Sequence, residues 1–388
     1  LPALCRRFDD WLKKMLPVWT GPAWNPAAGA CAELIGPDLK PLPGEFHRLI
    51  VAGRQLIVFS HAYRRWGDQA AAERAKALAA TVRERLWDAE QGGWFFSIDP
   101  QGRPLDTRKD LYSHAFGMLG LATYAAIFGD EGAVALARAA DGAIEAKLKL
   151  SGGWYASEAD RGWTHKDRML RQNPHMHLFE AYVALYEATR DPVWSEKAQA
   201  ILRMLADIVA APRSGALREL LDEKGQAPAD ARCTAEPGHH FEWYWLIGEL
   251  KRLDPAAVCP LDLDRLYGWA AEYGIDEDGG VLLSVDAETG APVDDRKRLW
   301  GVTELIKAQS LYLRSHPDGF ERDRLASDLA FLLERYLWPQ GGWHEYLARD
   351  LTPIEGPLPT SSGYHLMLAL VELDRALEVT PQVRRFVA

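Results

Sequence analysis

Six of the eleven histidines in this 388-residue chain fall near the starts of strongly apolar segments: His114, His175, His177, His239, His240 and His365. Imidazole is the side chain whose unperturbed pKa suits proton transfer near neutrality, so a converging set predicts general acid–base chemistry. Each one alone has a bland alternative, a hydrogen-bonded structural histidine. Six at related positions favour a shared task. Two local patterns sharpen the reading: His177-Leu-Phe-Glu180 and His239-His240-Phe-Glu242. Residues at i and i+3 share a helix face. The glutamate can hold one ring nitrogen and fix the tautomer, leaving the other nitrogen a directed acid or base. This is the orienting logic of a catalytic triad without its nucleophile.

Other chemistries fit less well. His175-Met-His177 with His239 offers ligands for Zn or Mn, but an H-x-H pair on a helix points its rings roughly 200° apart. There is no HExxH, and the four cysteines (Cys5, Cys31, Cys233, Cys259) form no CxxC pair, so the expectation is no metal and no cofactor. Phosphate-cradling loops of the GxxxxGK[ST] or GxGxxG type are missing. Lys plus Arg is 45 against 55 Asp plus Glu, a net charge of −10, which argues against a nucleic-acid partner. No run of about 18 apolar residues predicts a membrane span. The opening LPALCRRFDDWLKKM lacks the apolar core of a signal peptide, and the cysteine usage fits a reducing cytoplasm. The 15 tryptophans are read in two ways, as sugar-stacking platforms or as the packing of large helices.

A repeat positions these groups. YRRWGD closes at Asp68, AIFGD at Asp130, EATRD at Asp191, KRLD at Asp254 and RSHPD at Asp318, in steps of 62, 61, 63 and 64 residues. GGW at 92–94 and 152–154, GGV at 279–281 and GGW at 341–343 keep the same time. Each unit reads as an amphipathic outer helix such as 71–87, a Gly-Gly-aromatic loop with a short β-hairpin (WFFSID, VLLSVD), and a more apolar returning helix. Such pairs must stack or close to bury both faces. The apolarity of the returning helices favours closure into an all-α (α/α)6 barrel over an open solenoid, with residues 1–388 as one domain. Fourteen residues before each closing Asp stand Arg54, Phe116, His177, His240 and Glu304. A ring would bring these to one end of its axis, with Tyr112, His114, Arg171, Asn173, His175, His239, Glu242 and His365 close by.

Two runs in particular, Arg171-Gln-Asn173-Pro-His175-Met-His177-Leu-Phe-Glu180 and Pro237-Gly-His239-His240-Phe-Glu242-Trp243, resemble the N-acylglucosamine 2-epimerase superfamily. Gly53-Arg54-Gln55, Leu111-Tyr112-Ser-His114-Ala-Phe116, Leu299-Trp300 with Thr303-Glu304, and Gly363-Tyr364-His365 support the likeness, which spans the chain. The resemblance implies an (α/α)6 barrel and metal-free chemistry at C2 of open-chain sugars. It places the proton-transfer pair on His239 and His365, a third pocket histidine on His177, the arginine on Arg54 and the tyrosine on Tyr112. The remaining expected substrate contacts are His114, Asn173, Glu180, Glu242, Trp300 and Glu304, with Trp243, Trp343 and Phe116 as further wall candidates. Ala52 and Val302 stand where many members carry Gln, which puts substrate choice in question. The expected reaction is mannose–fructose isomerisation, with His114 as an extra imidazole near C1 and O2. N-acylglucosamine epimerisation and glycoside hydrolysis through Glu180, Glu242 and Glu304 are the alternatives, followed by a sugar-binding scaffold. A monomer or homodimer acting on a small sugar completes the expectation.

Overall fold

The Gly–Asp junctions that mark the repeat are helix caps. Gly67 and Gly129 end their helices in the left-handed conformation (φ 66° and 72°), as glycine does without steric cost. The aspartate that follows caps the next helix: Asp68 accepts from the Ala71 N–H, Asp130 from Ala133 and Asp191 from Val193. A two-residue link thus turns one helix back along the other. Asp254 departs from the pattern: it ends its helix, and Asp262 caps the next one after a longer loop. The computed structural model describes residues 1–228, 232–316 and 319–378, so the Asp318 marker lies outside the described residues.

Twelve α-helices follow among these residues: α1 (Pro2–Thr20), α2 (Leu49–Trp66), α3 (Gln69–Glu84), α4 (Leu111–Phe128), α5 (Glu131–Lys147), α6 (Gln172–Thr189), α7 (Pro192–Met204), α8 (Pro237–Leu253), α9 (Leu263–Gly274), α10 (Leu299–Ser315), α11 (Gly319–Phe331) and α12 (Gly363–Glu378). The even-numbered helices contact one another in sequence, and α12 returns to α2, so the ring is closed. The odd-numbered helices cover it outside. α1 packs against α12, α11 and α3, supplying the outer cover that the last inner helix needs. The solenoid alternative is therefore set aside by a contact between the two ends of the chain. α4 is long and apolar enough to cross a membrane by length and composition, but it is an inner helix, 72% buried.

The short strands close a second ring. The segment leading into each inner helix pairs with the loop of the next repeat: His47–Arg48 with Ser97–Ile98, Lys109–Asp110 with Glu158–Ala159, and Leu170–Arg171 with Leu220–Leu221. Thr234–Ala235 pairs with Leu282–Asp286, and Pro292–Arg298 with Tyr346–Leu347. Leu358–Pro359 returns to Leu34–Ile35. All of this β-structure sits at the N-terminal ends of the inner helices and rims one mouth of the barrel.

Three histidines weld helix to loop at this rim. His114, His175 and His240 each stand four residues after an inner-helix N-cap, with Nδ1 donating to the cap carbonyls of Asp110, Arg171 and Glu236 (2.7, 2.8 and 2.9 Å). Each Nε2 accepts a backbone N–H from the preceding loop, at Trp94, Tyr155 and Leu217 (2.8, 3.0 and 2.9 Å). Burial holds all three rings down to about 4, so they stay neutral. A Cβ on Gly93 would meet His114 Nε2 at 2.7 Å, one reason this marker position is glycine. Ala52 and Val302 occupy the same register on α2 and α10 and are buried, so the two departures fall on the clamp positions.

Removing one clamp orphans a buried N–H and a carbonyl. His175→Ala is expected to lose roughly 2–4 kcal/mol of unfolding free energy, measured by denaturant titration.

Candidate active site

Counted from the N-caps, the inner helices present two tiers. Position six after the cap gives Arg54, Phe116, His177, Glu242 and Glu304; position two gives Tyr112, Asn173 and Trp300. Residues four apart share a helix face, so the second tier stands above the first along the axis. This corrects one sequence expectation. His240 does not belong with the axial set, because Asp254 is not an N-cap and the count from it slips by two; Glu242 takes its place. His114 is likewise no substrate contact: both its ring nitrogens are spent on backbone. Trp243 and Trp343 are fully buried, with Nε1 bonded to Gln172 and Glu345 respectively, so neither walls the site.

The axial residues form a continuous buried cluster. The Arg54 guanidinium donates to the Tyr112 hydroxyl at 2.9 Å and lies over the Phe116 ring at 4.3 Å. His177 sits against Phe116 and Tyr112, with ring centroids 4.4 and 5.2 Å away. Trp300 packs beside both remaining histidines, 4.9 Å from His239 and 6.0 Å from His365. Asn173 is half-buried with its carbonyl oxygen unpartnered.

Each axial histidine is held through Nδ1 by a carboxylate. His177 bonds Glu180 at 2.8 Å, His239 bonds Glu219 at 3.0 Å, and His365 bonds Glu304 at 2.8 Å. The acceptors fix the Nδ1–H tautomer for a neutral ring. The second nitrogen makes no hydrogen bond to the described residues. Sequence spacing identified only the first of these pairs. Glu242 does not hold His239, despite the i, i+3 spacing; Glu219 does, from the loop that pairs with 170–171. It lies two residues after Leu217, where the loops of the other repeats carry Trp94, Tyr155, Val281 and Trp343. That loop has no Gly-Gly marker, so its register was hidden. Two further residues, Glu236 and Lys307, escaped sequence reasoning, and Tyr364 entered it only as part of a motif with no role assigned. Glu236 stands 3.7 Å from His239. Tyr364 donates to Glu180 at 2.5 Å. Lys307 pairs with Glu304 at 2.5 Å, with no solvent exposure.

The partners split the two outer imidazoles. Burial would lower His239, but the Glu219 and Glu236 carboxylates overcome it and hold the ring up to about 10. Burial, with Arg54 and Lys307 nearby, pushes His365 well below its ordinary value. His177 is held down to about 3, chiefly by burial. The two carboxylates favour the imidazolium of His239, and burial favours the neutral ring of His365. Two titratable groups driven apart in this way are an acid and a base.

Three clusters bring a histidine and two carboxylates within 4.8 Å: His177 with Glu180 and Glu242, His239 with Glu219 and Glu236, and His365 with Glu242 and Glu304. In each the imidazole Nδ1 is already donating to a glutamate. At the two clusters that contain Glu242, Lys307, 2.5 Å from Glu304 and 3.9 Å from Glu242, already supplies positive charge where a cation would sit. A metal would have to displace these bonds. The hydrolase alternative needs two available carboxylates, but Glu180 and Glu304 are each committed on both oxygens.

Two carboxylate-held imidazoles, both packed beside Trp300 at the head of an (α/α)6 ring, fit the class of sugar epimerases and isomerases. The chain matches the N-acylglucosamine 2-epimerase (GlcNAc 2-epimerase) family over residues 29–369 and belongs to it. It is 30% identical over 384 residues to a mannose-6-phosphate isomerase of Rhizobium meliloti (strain 1021), covering 95% of this chain and 96% of that one. It is 32% identical over 304 residues to a D-mannose isomerase of Thermobifida fusca, covering 72% of each. The crystal structure of a D-mannose isomerase superposes with a TM-score of 0.86 over 95% of this chain and 97% of that one, at 20% identity, and shows the shared fold.

Glu219→Gln removes the carboxylate that supports the His239 imidazolium. A lost anion lowers that pKa, so the alkaline limb of the rate profile should move to lower pH, read from kcat/KM against pH.

Proposed function

We propose that the protein interconverts an aldose and its 2-ketose, with mannose and fructose as the pair, through a cis-enediol. The observation that carries this reading is that His239 and His365, both packed beside Trp300, have unlike partners: Glu219 and Glu236 for the first, and a Glu304 shared with Lys307 for the second. In the open-chain aldose the C2 hydrogen is acidic only if the enolate is stabilised. His365 Nε2 removes it as general base, and the protonated His239 gives its proton to the developing O1 oxyanion. Arg54 and the Tyr112 hydroxyl, which are hydrogen-bonded to each other, are further donors for that charge. The N-termini of the inner helices converge there as well, and their dipoles favour negative charge. His365 then returns the proton to C1, while His239 takes the O2 proton back, and the ketose forms with both histidines restored.

The same site supports a second reaction. If His239 delivers its proton to C2 from the opposite face, the product is the 2-epimer. Isomerisation is preferred because the two relatives at 30% and 32% identity are named as isomerases of mannose or its 6-phosphate. The expectation that His114 assists the hydroxyl proton is withdrawn with that residue's backbone bonds. His239 fills the part.

Incubation in deuterium oxide with mannose, mannose 6-phosphate, N-acetylglucosamine and cellobiose tests the reading. Fructose from mannose is the expected product, with deuterium at C1 to the extent that the proton held by His365 exchanges with solvent before it is returned. Turnover of N-acetylglucosamine without mannose would overturn the substrate assignment. His239→Asn and His365→Asn should each reduce the rate by about 100-fold or more, the scale of general acid–base removal. Dialysis against a chelator should leave kcat unchanged; loss restored by Zn or Mn would refute metal-independent catalysis.

A further inference from the structure

Below the histidines lies a charge imbalance that the proposed proton transfers do not use. Glu180 on α6, Glu242 on α8 and Glu304 on α10 are all buried around the axis. Lys307 on α10 is buried among them, with no side-chain exposure, 2.5 Å from Glu304 and 3.9 Å from Glu242. Its ammonium also lies 3.7 Å from the centroid of the Trp245 ring. The other groups facing this cluster are Arg54 on α2 and Tyr364, His365 and His177 on α12 and α6. Arg54 is turned to Tyr112 and Phe116, and Tyr364 to Glu180.

We propose that Lys307 is a positioning residue for the reaction: its ammonium keeps Glu304 an acceptor toward His365 Nδ1, and so keeps the Nε2 lone pair of His365 available to the substrate. The inference rests on the reading of His365 as the base. Burial, with Glu242 behind it, holds the Glu304 carboxyl well above its ordinary value, and Lys307 is the group beside it that opposes that rise. One Glu304 oxygen faces His365 Nδ1 and the other faces Lys307. Were Glu304 to take a proton, it would donate to Nδ1 instead of accepting from it. The ring's own proton would then sit on Nε2, and the imidazole could no longer abstract hydrogen from carbon. A charge with no contact to the sugar thereby selects the tautomer that does the chemistry.

The test compares wild type, Lys307→Met and Lys307→Arg by pH–rate profile and by ¹⁵N NMR of labelled histidine. Wild-type His365 should be the Nδ1–H tautomer at neutral pH. Lys307→Met should shift it to Nε2–H and lower kcat by about 100-fold with KM nearly constant. Its acid limb should move to higher pH, because more base is then needed to ionise Glu304. Lys307→Arg should keep the wild-type tautomer and limb. An Nε2–H wild-type ring would overturn the inference, as would a Lys307→Met protein with unchanged tautomer and profile. If Lys307→Met does not fold, the wild-type tautomer and the Lys307→Arg profile still decide it. His365→Asn separates the two claims. If it retains full activity, the underlying reading of the base fails. If it is inactive while Lys307→Met behaves as wild type, only the role of the lysine fails.

Discussion

An inner helix of this ring is buried on every side, so a charge placed on its axial face must find its partner inside the ring. That constraint shapes the whole head of the barrel. Arg54 meets aromatic faces and a phenol, three histidines each meet a glutamate, and one lysine stands among three carboxylates. Unpartnered, any of these groups would cost several kcal/mol in the interior. Partnered, they are held in fixed orientations, and a proton-transfer site needs that rigidity.

The same residue type serves two ends, separated by a two-residue step along the helix. Histidines at the fourth position after the cap face outward to the rim and bind backbone on both nitrogens. The histidine at the sixth position of α6 faces the axis and binds a carboxylate on one nitrogen only. The clamps make the loops rigid, and the loops deliver Glu219 to His239. Stability and chemistry are coupled in that sense: a clamp histidine touches no substrate, yet it sets the position of the loop that carries a carboxylate.

The electrostatic design follows from unequal shares of carboxylate. His239 lies near two glutamates outside the lysine's reach, and its cationic form is favoured. His365 shares its glutamate with Lys307 and feels Arg54, and its neutral form is favoured. Neither outcome comes from burial alone, which disfavours the cation for both. The difference is made by which cations and anions the ring places beside each imidazole.

The sequence by itself determined the features that rest on local chemistry. Capping aspartates and left-handed glycines are read by neighbouring residues, so the repeat of about sixty residues and the helix pairs were legible at Asp68, Asp130 and Asp191. The His177–Glu180 pair was legible because both residues lie on one helix turn. Ring closure was inferred from apolarity, but only packing of α12 against α2 made it definite. The partners of His239 and His365 were beyond reach. Glu219 comes from a loop 20 residues away and Glu304 from another helix 61 residues away. No spacing rule links residues that meet only when a strand pairs with the next repeat or when two inner helices become neighbours. The roles of His114 and His240 were undecided for the same reason: whether an imidazole meets a backbone N–H or a carboxylate depends on which side of the helix the ring puts toward its axis.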